Sequence, residues 1–94
     1  MSTQTKTPRR RVKFQLSAAS GSKVFIAANF NHWSPNKNAL KYNASAEHYS
    51  CSVLLEPGRY EYKFVIDGVW CVDPLCLEWA PNEHGSINSI LNVE

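Results

Sequence analysis

The chain has 94 residues, a net charge of +2 and three cysteines. That length supports one small hydrophobic core but not a core plus a deep enclosed active site, so a single binding or regulatory domain is expected before an enzyme. Much of the positive charge sits in Lys6, Arg9, Arg10, Arg11 and Lys13, and the absence of a further basic face argues against a nucleic-acid partner.

Residues 1–8 are Ser, Thr, Gln, Lys and Pro with nothing to bury, which predicts a disordered tail ahead of one domain over residues 9–94. Arg9 to Leu16 alternates, with Val12, Phe14 and Leu16 on one side and Arg11, Lys13 and Gln15 on the other. That period of two is a half-buried strand with a solvated face. The basic run on it is read as an edge strand whose charge discourages aggregation, with a docking site for an acidic partner as the less favoured reading. A turn at Ser17 to Ser22 leads into Lys23 to Ala28, an apolar run of strand length expected to be central.

The stretch from Asn29 to Asn38 is dense in Asn, Ser and Pro and is expected to be irregular. Leu40 to Tyr42 reads as a short edge strand, and Tyr49 to Leu55 as an alternating one. Glu56-Pro57-Gly58-Arg59 is a turn, with proline presetting φ. From Tyr60 an aromatic and β-branched run reaches Asp67-Gly68, the two-residue signal of a type I′ hairpin, and returns through Val69 to Val72. The three strands from Tyr49 to Val72 are expected to form an antiparallel meander. Leu75 to His84 is expected to be a loop, and Ile87 to Val93 the last strand. About seven short strands at hairpin spacing make an all-β antiparallel sandwich the leading fold.

The hairpin register has a further consequence. With Asp67 and Gly68 as the loop, Ile66 faces Val69, Val65 faces Trp70 and Phe64 faces Cys71. Tyr60, Tyr62, Phe64, Ile66 and Cys71 then share a core face, while Glu61, Lys63, Val65, Trp70 and Val72 share the other. A tryptophan on the less apolar face, with Lys63 in diagonal reach, asks for a ligand. Trp33 lies in the polar loop and poses the same question. Indole faces stack on apolar sugar faces, and tryptophan is enriched at binding hot spots. Asn31 and Asn88 are candidates for the hydrogen bonds that fix ring orientation.

Other chemistries find little support. Cys51, Cys71 and Cys76 are too few and odd in number for a disulfide framework and are read as reduced thiols. Cys71, Cys76 and His84 match no zinc spacing, so no metal or other cofactor is expected. No pair of carboxylates is placed as the acid and base of glycoside cleavage. No apolar run reaches the roughly 20 residues of a membrane helix, and a cytoplasmic location is expected.

Four blocks carry a family resemblance: Val24 to Ser34, Pro57 to Trp70, Asp73-Pro74, and Gly85 to Val93. In that order and spacing they resemble the glycogen-binding modules of carbohydrate-binding family 48, which occur in the β subunit of AMP-activated protein kinase and ahead of the catalytic domain of branching and debranching enzymes. The resemblance implies an immunoglobulin-like, early-set sandwich that binds α-1,4-linked glucan without catalysis. A kinase or glucan-metabolising enzyme is the implied protein partner. By motif, Trp33 and Trp70 resemble the stacking tryptophans, and Lys63 and Asn88 the residues that bond sugar hydroxyls. His84 stands where the kinase-type module has leucine, so Trp79 is either a substitute for that apolar contact or a cap on the sandwich edge.

Overall fold

The computed structural model describes residues 8–94, and the tail expected over residues 1–8 falls almost wholly outside them. Eight strands follow in order: β1 (Arg10–Leu16), β2 (Val24–Ala28), β3 (Asn38–Asn43), β4 (His48–Leu55), β5 (Gly58–Ile66), β6 (Val69–Cys71), β7 (Trp79–Pro81) and β8 (Ile87–Val93). All pairings are antiparallel, in the path β1-β4-β3-β2-β5-β8-β7, with β6 also on β5. The path curls into two layers. Phe14 of β1 meets Tyr62 of β5 edge-on, with ring centroids 5.2 Å apart, so the first strand closes over the middle of the other sheet.

Period-two burial explains most of this architecture. Phe14, Leu16, Val24, Ile26, Leu40, Tyr49, Leu55, Tyr62, Phe64 and Val93 form one core cluster. They are the inward-facing members of β1 to β5 and β8, as the alternation requires. The all-β antiparallel sandwich is therefore observed, with one strand more than the sequence announced. The hairpin register is also as expected, with Phe64 opposite Cys71, Val65 opposite Trp70 and Ile66 opposite Val69. Asp67 and Gly68 both take positive φ, at 49° and 84°, as a type I′ turn demands. The Asp67 side chain also accepts a hydrogen bond from the Lys23 amide at 2.8 Å, which ties the hairpin tip to the start of β2.

Three expectations are corrected. The segment at Leu40 to Tyr42 is no edge: β3 pairs with β2 through Asn38 to Leu40 and with β4 through Lys41 to Asn43. It is the strand that both sheets share. Tyr49 to Val72 is not a meander, because β4 pairs with β1 and β3 whereas β5 pairs with β2, β6 and β8. The Glu56-Pro57 turn is a crossover between layers, braced by Tyr60 Oη donating to the Glu56 carbonyl at 2.7 Å. The loop before Gly85 contains β7, paired to β8 through Trp79, Ala80 and Pro81. Pro81 is tolerated because β7 is the terminal strand, whose outer edge needs no ladder donor.

Candidate functional site

The outer face of the sheet containing β5 is set by the same registers. Opposite the core it carries Phe25 and Ala27 from β2, and Arg59, Glu61, Lys63 and Val65 from β5. Trp70 comes from β6, and Asn88, Ile90 and Asn92 from β8. Ala27, Val65 and Ile90 are buried although they lie outside the main core cluster. This second apolar layer lies under an open groove of about 710 Å³, flanked by Trp33 and Trp70, with Glu61, Lys63 and Asn88 along its floor. His84 and Ser86 line it from the β7–β8 turn.

Trp33 reaches the groove through unusual backbone. A short 3-10 turn, Asn29–Asn31, follows β2. His32 and Trp33 then both adopt left-handed conformations, with φ of 59° and 57°. Two such residues in succession, neither of them glycine, cost on the order of 1 to 2 kcal/mol each. The surrounding bonds hold them there. Trp33 donates its amide to the Ala28 carbonyl at 2.8 Å. Asn31, only 7% exposed, accepts from the amides of Ala28 at 2.9 Å and Ser34 at 3.3 Å. Its amide donates to the Ile26 carbonyl and to Asn38 Oδ1, both at 2.8 Å.

The floor is a connected polar network. Asn88, 6% exposed, donates through Nδ2 to Glu61 Oε1 at 2.9 Å and accepts from Asn82 Nδ2 at 3.0 Å. Arg59 pairs with Glu61 Oε2 at 2.8 Å. The Asn88 hydrogen bond, and then the Arg59 guanidinium, hold the Glu61 carboxyl below the usual glutamate range. Lys63 Nζ donates to Ser86 Oγ at 2.7 Å, which leaves two of its N–H bonds for a ligand. Asn82 Oδ1 accepts the amides of His84 at 2.9 Å and Ser86 at 3.1 Å, so one side chain shapes the turn that forms the groove's far wall.

The structure thus gathers Trp33, Lys63, Trp70, His84 and Asn88 around one groove. It separates two other candidates from them. Asn31 is enclosed by its own loop and offers the groove nothing directly. Trp79 is opposite Ser89 in the β7–β8 ladder, and Ser89 shares the face of Tyr62 and Leu91. That register puts Trp79, 55% exposed, on the reverse of the sheet. Glu61, Asn82, Asn29 and Ser86 belong to the groove without having been singled out. Glu61 was already on the Lys63 face by hairpin parity; Asn82 had no signal, because a three-residue strand ending in proline shows no period.

Among the described residues no group of His, Cys, Asp or Glu has metal-binding geometry. Cys51, Cys71 and Cys76 are unpaired with one another. Burial pushes the Cys51 and Cys71 thiols up, away from the reactive thiolate form. Tyr62 donates to Asp73 Oδ2 at 2.6 Å; burial first, then this bond, raises its phenol well above the ordinary range. It is a structural donor beneath the site.

A β-sandwich that presents an open, aromatic-flanked groove with a polar floor is, as a class, a surface ligand-binding module. The chain belongs to the family described as the glycogen recognition site of AMP-activated protein kinase, which matches residues 11–94. It is similar to Protein PTST homolog 2, chloroplastic, of Arabidopsis thaliana, at 43% identity over 56 residues, covering 60% of this chain and 10% of that protein. It is similar to Protein PTST, chloroplastic, of the same plant, at 34% over 73 residues, covering 76% and 25%. The human 5'-AMP-activated protein kinase subunit beta-2 is 32% identical over 74 residues, covering 79% and 26%. The chain therefore spans between a tenth and about a quarter of these relatives' lengths.

Proposed function

We propose that the groove binds an α-1,4-linked glucan, such as a chain of glycogen or starch, and that the domain targets itself or an attached protein to that polymer. The observation that carries this reading is the convergence of Trp33, Lys63, Trp70 and Asn88, from three strands and the loop after β2, onto one open face. Trp33 and Trp70 offer indole faces to the apolar faces of glucose units. Lys63 and Asn88 supply hydrogen bonds to the ring hydroxyls. A flexible polymer on an open surface buries only part of itself and must be ordered, so affinity is modest.

The domain is read as non-catalytic. A glycosidase needs one carboxyl kept protonated as a general acid beside a second that stays ionised. Glu61 is held ionised by Arg59 and Asn88, and the Glu83 side chain stands in solvent at the rim. The test is a calorimetric or tryptophan-fluorescence titration with maltoheptaose, using a cellooligosaccharide of equal length as control. Saturable binding of the α-linked ligand alone is expected, and an equal response to both would remove the assignment.

A specific observation favours a second reading, a docking module for a kinase or glucan-metabolising enzyme. Strands β1, β3 and β4 contain no carboxylate. Arg11, Lys13 and Lys41 are exposed on them, beside exposed Leu54 opposite Arg11. This cationic face lies on the other layer from the groove and suits an acidic protein surface. Reversing all three charges to glutamate is expected to leave the maltoheptaose titration unchanged and to abolish co-purification of a stoichiometric partner. A partner retained by the triple variant would exclude this face.

A further inference from the structure

Within that glucan reading, we propose that Glu61 and Asn82 are positioning residues that clamp the Asn88 carboxamide from both sides and so fix which of its polar groups faces the sugar. A carboxamide can turn over, exchanging its oxygen for its NH2 group at little steric cost. The two ends of this network forbid it. At one end Glu61 is a carboxylate, able only to accept, so Asn88 must turn Nδ2 toward it. At the other end the amides of His84 and Ser86 can only donate, so Asn82 must turn Oδ1 toward them. Asn82 then has only Nδ2 to offer Asn88, which receives it on Oδ1.

Each bond in the relay therefore has one permitted direction. Arg59 donates to Glu61 Oε2 at 2.8 Å, which keeps the carboxylate charged and prevents it from presenting a proton to Asn88. The low proton affinity of Glu61, caused first by Asn88 and then by Arg59, agrees with this arrangement. Asn88 is left with one N–H and one carbonyl lone pair, in places that cannot interchange. Lys63, held at Ser86 Oγ, adds donors only. A bound glucan must match a donor-rich floor of set direction, which selects the ligand's hydroxyl orientation as well as its ring stacking.

A double-mutant cycle tests the clamp, using Glu61→Ala and Asn88→Ala with maltoheptaose as the probe. Glu61 is chosen because Asn82 also holds the backbone of its own turn. Each single variant is expected to weaken binding about tenfold, and the double variant to bind no more weakly than Asn88→Ala alone, because Glu61 acts through Asn88. Losses that multiply would overturn the clamp. A second measurement needs no ligand: in the side-chain amide NMR spectrum, the Asn88 proton donated to Glu61 is expected to lie downfield and exchange slowly with water, and in Glu61→Ala to return to the position and fast exchange of a free asparagine side chain. Unchanged Asn88 signals in that variant would equally overturn it. If the unsubstituted protein does not bind maltoheptaose, the glucan reading falls, while the clamp is still decided by the ligand-free spectra.

Discussion

Replacing Trp70 by alanine is expected to abolish retention on glycogen while the domain stays folded. Trp70 is 43% exposed, lies on the short strand β6, and is outside the core cluster. Its loss removes exposed groove surface rather than a core contact. An aromatic anchor of this kind contributes about 1 to 3 kcal/mol, so affinity for a soluble maltooligosaccharide should fall roughly 5- to 150-fold per ring. Trp33→Ala should follow closely. Retention is measured by affinity electrophoresis or co-sedimentation with glycogen, and folding by near-ultraviolet circular dichroism. A Trp70 variant that bound as well as its parent, or one that unfolded, would refute the platform.

The second large effect comes from a buried residue that does not line the groove. Asn31→Ala is expected to lower stability by about 3 kcal/mol, because it leaves the buried Ile26 carbonyl and Ala28 amide each short of a partner. For a domain of this size, that corresponds to a fall in Tm on the order of 10 to 20 °C. Glucan binding should weaken as well, even at temperatures where the variant is fully folded. The reason is local: without the Asn31 side-chain bonds, only backbone bonds such as that from the Trp33 amide to the Ala28 carbonyl offset the left-handed cost at His32 and Trp33, and Trp33 is held less firmly at the groove. A thermal melt and a titration on the same preparation separate the two effects. Normal affinity in a destabilised Asn31→Ala protein would show that Trp33 is positioned by something else.

These two residues mark what was legible in the chain and what was not. The Trp70 environment was readable because Asp67-Gly68 fixes a register, and register fixes faces. The same rule separated the groove side of β5 from its core side. Asn31 misled for a physical reason. An asparagine in a polar loop looks available, whereas its four hydrogen bonds depend on a 3-10 turn and left-handed residues that have no periodic signature. Strand neighbours were likewise hidden. Leu40 to Tyr42 looked like an edge because it has little to bury, but a strand's place in a sheet is decided by its ladder partners, which hydrophobicity does not report. Trp79 showed the converse. Its position could be known only once β7 was seen to pair with β8.

The double membership of β3 has a consequence for how the domain can communicate. Because its first half belongs to one layer's ladder and its second half to the other's, sliding the layers past each other would tear hydrogen bonds at Leu40 and Lys41. The usual shear route to a conformational switch is closed to it. On the proposed glucan reading, a polymer lying in the groove would therefore act by occupying space, barring whatever else would approach that side and leaving the cationic reverse undisturbed. On that reading the domain would serve as a rigid adaptor, its occupancy read from outside by obstruction.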